Sequence, residues 1–199
     1  MNAARPYALR GAGIGYSRVW GRALGAALLC LCAVGTARAQ DVEPWVPKTW
    51  AVKAGFFFPT QGTLRNQSGS PYYDIGVDYS PPLRYRPVGA QLVIGTDFMW
   101  RTGSGLSYLT IPITASLLWD ISAPTARVHV YGGVGAGIYF INTGFIGGTT
   151  QAGLKFTVGA DITQKFFLEM NYHYVGGFSD NLGNGIRVDG LTFAVGHRF

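Results

Sequence analysis

Cysteine is nearly absent from this chain. Only Cys30 and Cys32 occur in 199 residues, and both lie inside one apolar run at 23–34. Beyond residue 40 there is no thiol, so disulfides, thiolate metal sites and a cysteine nucleophile are all excluded there. Charge is scarce too, at 13% of residues. Histidine is limited to His129, His173 and His197. They are too widely spaced for a local metal motif, and no metal or other cofactor is expected. No stretch after residue 40 offers the 18 or so consecutive apolar residues of a membrane-crossing helix. None keeps a helical period.

The net charge of +6 points at first to an anionic partner. Its distribution says otherwise. Arg5, Arg10, Arg18, Arg22 and Arg38 precede residue 40, and no acid does. The remainder carries 11 bases against 10 acids, so no basic patch is available and no nucleic-acid partner is expected. The first 39 residues have the layout of a secretory signal. A basic stretch ends at Arg22, the apolar run 23–34 follows, and Ala37-Arg38-Ala39 forms a small-x-small cleavage site. The run is too short to span a bilayer. Leu29 and Leu31 precede the two cysteines where a lipoprotein signal needs a small residue, so lipidation is not expected. The expected organisation is a leader at 1–39, a short periplasmic segment at 40–48 and one domain at 49–199.

What the domain does contain is alternation with period 2, broken by Gly, Pro, Asn and Ser. Eight segments emerge: 49–58, 72–80, 89–100, 106–119, 126–141, 150–162, 165–176 and 187–199. In 150–162 one parity reads Ala152, Leu154, Phe156, Val158, Ala160, Ile162. The other reads Gln151, Gly153, Lys155, Thr157, Gly159, Asp161. The segments at 106–119 and 165–176 divide the same way. A soluble sandwich would bury the apolar face and cover the polar one with Lys and Glu. Here the polar face is Gly, Thr, Ser and Tyr, which suits a crowded lumen. The expected fold is therefore all-β: an eight-stranded antiparallel up-and-down transmembrane β-barrel, apolar outside and polar inside. Closure removes the unpaired edges that lipid does not tolerate.

Aromatic residues give the direction. With the N-terminus on the periplasmic side, Trp50, Tyr79, Trp119, Phe166 and Phe199 gather at that end. Phe58, Tyr73, Phe98, Trp100, Phe140 and Tyr174 gather at the outer end, making two girdles at the lipid interfaces. The joins at 120–125 and 163–164 are then short periplasmic turns, and 59–71 and 177–186 are longer outer loops. Two features fit poorly. Pro112 falls inside a strand, where a bulge would accommodate it. The join at 81–88, with Arg84, Tyr85 and Arg86, is long for a periplasmic turn.

The stretch 191–199 (LTFAVGHRF) resembles the assembly signal of outer-membrane barrel proteins, through Leu191, Phe193, Val195 and Phe199. His197 departs from that pattern. The segments 131–140 (YGGVGAGIYF) and 166–174 also resemble small barrels of the OmpA, OmpX and OmpW type. The resemblance covers 49–199. It implies a cell outer-membrane location, with membrane lipid and the barrel-assembly machinery as partners and Phe199 as that machinery's recognition residue. It implies no particular activity. The peptidoglycan-binding domain of OmpA-like proteins is not expected, since the chain stops at Phe199. A monomer is expected.

The inward parity collects Lys53, Asp74, Asp78, Asp97, Lys155, Asp161, Glu169, His173 and Arg198. The main expectation is an ionic network holding the lumen closed, since eight strands enclose little beyond side chains. Lys155 is expected to pair with Glu169, and Arg198 to lie beside Lys53 at the closure. The alternative is a narrow conduit, left open by inward glycines such as Gly133, Gly135 and Gly137; against it, those glycines can simply pack beside the bulky Phe57, Tyr131 and Tyr139. A lipid-modifying enzyme is the weakest reading. Glu169 and His173 share a face but stand about 13 Å apart along a strand. Ser179 sits in a loop, and no G-x-S-x-G occurs. No catalytic residue is assigned. Neither a metal motif nor a nucleotide motif is present. The loop 59–71 (PTQGTLRNQSGSP) is expected to be a solvated connector.

Overall fold

Strict alternation of large apolar side chains leaves a β-strand one greasy face, and a closed ring is what keeps every backbone group paired. The computed structural model describes residues 49–82, 89–102, 107–123, 126, 128–143, 147–179 and 185–199. The leader at 1–39, the segment 40–48 and the residues Arg84, Tyr85 and Arg86 lie outside them. The elements in chain order are β1 (Trp50–Pro59), α1 (Gly62–Ser68), β2 (Tyr72–Tyr79), β3 (Ala90–Arg101), β4 (Tyr108–Asp120) and β5 (His129–Thr143). They continue with β6 (Gly147–Asp161), β7 (Phe166–Val175), β8 (Phe178–Ser179), β9 (Gly185–Ile186) and β10 (Gly190–Arg198).

Eight of the strands close a barrel in the order β1-β10-β7-β6-β5-β4-β3-β2, every pair antiparallel. Each expected segment corresponds to one barrel strand. Closure runs from Ala51 opposite Arg198 to Pro59 opposite Gly190. The lower turns are made by side chains that satisfy free amides. The Lys165 and Phe166 N–H groups donate to Thr163 Oγ1 at 3.2 and 3.0 Å. The Ser122 N–H donates to Asp120 Oδ1 at 2.8 Å, and His129 Nδ1 lies 2.9 Å from Asp120 Oδ2.

Pro112 needs no bulge. Its strand stays in register with β5 through Ile111, Pro112 and Ile113. Against β3 the count of residues is the same on both strands from Thr96–Ile113 to Met99–Thr110, and only the ladder between them is interrupted. Proline has no N–H to offer the Asp97 carbonyl opposite it, so the defect stays local.

The outward parity carries Ile75, Val77, Ile94, Ile113, Val134, Ile138, Leu154, Phe156, Val158 and Val195, all exposed. Exposed apolar surface on this scale is a lipid contact. The girdle residues Trp50, Tyr79, Trp119 and Phe166 ring one end, the end expected to face the periplasm. Phe58, Tyr73, Phe98, Trp100, Phe140 and Tyr174 ring the opposite end, all on the same outward parity. Cross-strand pairs tie each ring: Trp50 with Tyr79 at 4.6 Å and Tyr73 with Trp100 at 5.7 Å between ring centroids. At the closure, Leu191, Phe193 and Val195 face outward. His197 sits edge-on to both Phe166 and Phe199, at 4.9 and 4.7 Å. An imidazole edge against two rings behaves as an aromatic, which explains how it occupies an apolar slot.

Candidate functional site: the barrel lumen

The lumen has layers. At mid-height Lys53 is fully buried, and its ammonium gathers three carboxylates from three strands. Asp78 lies at 3.0 Å, Asp97 at 3.1 Å and Glu169 at 3.4 Å. Asp97 also faces Lys155 at 3.7 Å. Glu169 accepts from Asn171 Nδ2 at 2.7 Å and from the Tyr131 hydroxyl at 3.4 Å, and Asn171 accepts from Thr157 Oγ1 at 2.7 Å. A buried ammonium is tolerable only with such a complement of acceptors. Asp74 sits one inward position above Gly76 on β2. It is 2% exposed, and neither of its carboxylate oxygens has a hydrogen-bond partner among the described residues.

Lower down, Arg198 pairs with Asp161 and lies over the Phe167 ring at 4.3 Å. Higher up, His173 Nδ1 is 3.0 Å from the Tyr139 hydroxyl, and its ring meets Phe57 edge-on at 6.1 Å. All nine residues of the inward set face the lumen, but not as one network: Lys53 gathers Asp78, Asp97 and Glu169, Lys155 joins it through Asp97, Arg198 pairs with Asp161, and His173 meets Tyr139. Arg198 and Asp161 stand apart from the Lys53 cluster. Lys155 does not pair with Glu169. The register sets His173 opposite Lys155 and Gly159 opposite Glu169, two inward positions away. The partner of Lys155 comes from β3, reached through the lumen. Glu169 and His173 are likewise engaged with different partners.

Above this layer the lumen is apolar. Phe57, Leu64, Tyr72, Met99, Tyr108, Tyr139, Ile141, Val175 and Val188 form one buried cluster. The Tyr72 and Tyr108 rings pack at a tilt with centroids 4.6 Å apart, and the Tyr108 hydroxyl accepts from Thr110 Oγ1 at 2.7 Å. Leu64 comes from the outer loop 59–71. That loop is no solvated connector: it forms α1 and drops Leu64, fully buried, into the mouth. The last outer loop is tied to it. The Thr60 N–H and hydroxyl both donate to the Asp189 carbonyl, at 2.9 and 3.0 Å. The Gln61 side chain donates to the Gly185 carbonyl at 3.2 Å and accepts from the Arg187 N–H. The Asp189 carboxylate accepts the Val175 N–H at 2.8 Å. The little hairpin β8–β9 belongs to this lid. Sequence reasoning missed it. Its one signal was Leu64, the single large apolar residue in 59–71.

Several inward glycines make seats for neighbouring side chains. A Cβ on Gly159 would collide with the Tyr131 ring, and one on Gly153 with Tyr139. On Gly76 it would strike Asp97 and the Lys53 stem. Gly133 and Gly137 let β5 approach the β4 backbone closely, which is how a small barrel curls.

No family model matches the chain, and no curated protein does. Solved structures do. Neisserial surface protein A is 14% identical, with a TM-score of 0.50 over 76% of this chain and 95% of that one. A major outer membrane protein from Thermus thermophilus is 14% identical, TM-score 0.48, over 77% of this chain and all of that one. Outer membrane protein W of E. coli is 16% identical, TM-score 0.41, over 76% and 98%. The likeness to the Neisserial protein speaks for the fold. Joined to the apolar exterior and the two girdles, it defines a small outer-membrane β-barrel. This protein is one, with eight strands in its wall.

Proposed function

We propose that this barrel is a closed, non-conducting structural or interaction protein of the outer membrane, monomeric and without enzymatic activity. The observation that carries the reading is the stopper at the outer mouth. Leu64 and the Tyr72–Tyr108 ring pair fill the lumen above a layer of ion pairs. A solute path would have to displace both. The side chains that a catalytic reading would need, Glu169 and His173, are engaged with Lys53 and Asn171 and with Tyr139. The contacts open to partners are then the lipid-facing wall, the lid loops and, during biogenesis, the closing strand with Leu191, Phe193, Val195 and Phe199. Planar-bilayer recording of the purified barrel tests closure. Flat current at about 100 mV is expected; discrete conductance steps would replace this reading with a narrow pore. Incubation with phospholipid and lipid A, followed by mass spectrometry, tests the absence of catalysis: any turnover product overturns it.

A further inference from the structure

The lipid-facing wall carries a shallow recess. It measures about 260 Å³ and lies low on the outer faces of β1 to β4, between Trp50, Tyr79, Ile94 and Ile113, with Thr96 in its floor. Its origin is local. Thr96 is the short side chain in a neighbourhood of long ones. Ile94 and Phe98 flank it along β3, and Val77 and Ile113 face it across the register. Thr96–Ile113 is also the last pair before the ladder interruption that Pro112 causes. Trp50, Ile94 and Ile113 are all exposed, so the recess opens outward.

We propose that this recess seats one acyl chain of an inner-leaflet phospholipid. The recess is continuous with the apolar belt, which is already the protein's interface with lipid tails. Its walls offer carbon and aromatic surface, and no charged side chain lines it, so a tail fits and a headgroup does not. The tilted Trp50–Tyr79 ring pair lines its lower end. Such rings sit at headgroup level, which places the chain in the periplasmic leaflet. A second barrel would first have to displace lipid as apolar as itself, with little gained.

The proposal rests on the barrel wall facing lipid, and the test separates the two. Full-length protein retaining only Trp50, with Phe replacing the other four tryptophans, is refolded into phosphatidylcholine vesicles. These are doped with increasing fractions of phosphatidylcholine brominated on its acyl chains. A second protein retains only Trp119, which belongs to the same girdle but lies outside the recess. Seating of a chain predicts that Trp50 fluorescence is quenched about twofold more steeply than Trp119 at low brominated fraction. Thr96→Phe, which fills the recess, removes that excess; Thr96→Leu serves if the first variant does not fold. Equal quenching of Trp50 and Trp119, or an excess that survives both variants, overturns the proposal. Protection of Trp50 that grows with protein concentration overturns it in favour of a second copy. Absence of quenching at both tryptophans would instead sink the lipid-facing wall.

Discussion

The middle of the lumen and its outer mouth solve one problem by opposite chemistry. Both must fill a narrow ring of inward side chains. The middle does so with charge: one ammonium, Lys53, holds carboxylates from β2, β3 and β7. The mouth does so with rings and aliphatic groups, finished by Leu64 from a loop. The difference lies in how each fails. An apolar layer loses contacts in proportion to what is removed. An ionic layer loses its balance at once, because the remaining charges stay buried.

That contrast sets the order of expected effects. Lys53→Met should be the most damaging, at about 3–5 kcal/mol, since it takes the shared cation from three buried carboxylates and leaves only Lys155 beside Asp97. Urea unfolding read from the heat-modifiable gel band measures it, and a loss below about 1 kcal/mol would break the contrast. Leu64→Ala should cost about 2–4 kcal/mol, confined to the lid. Faster protease cleavage within 59–71, with the barrel band intact, is the signature. Gln61→Ala removes two ties between the outer loops and should cost about 1 kcal/mol. Hydrogen exchange at the Arg187 N–H should quicken several-fold while β-strand amides hold; unchanged exchange would mean the tie is not made. The smallest effect belongs to Arg187→Ala. Its guanidinium lies 5.8 Å from the Tyr174 ring centroid at the outer girdle. About 0.5 kcal/mol is expected, and a double cycle with Tyr174→Leu reads it.

Strand positions were legible because lipid enforces them. Every second residue of a wall strand must be apolar, so Leu154, Phe156 and Val158 announce both their strand and its facing. Pro112 was misjudged because a proline on a paired strand normally implies a bulge. Here the ladder loses one bond without shifting register. The set of lumen residues was also legible, from parity alone, but its pairing was not. Lys155 and Glu169 looked adjacent across a turn, yet their heights differ by two inward positions. Asp97, far away in sequence, is the carboxylate within reach of Lys155.

By itself the sequence determined the class: alternation fixes which face meets lipid, and turn residues fix how many strands the wall has. Only the tertiary structure decided the lumen. Ring closure and strand stagger bring residues from distant strands to one height, and neither leaves a mark in local order. The lid is the same case. Leu64 is one apolar residue in a polar loop until the barrel mouth beneath it supplies the apolar layer that buries it.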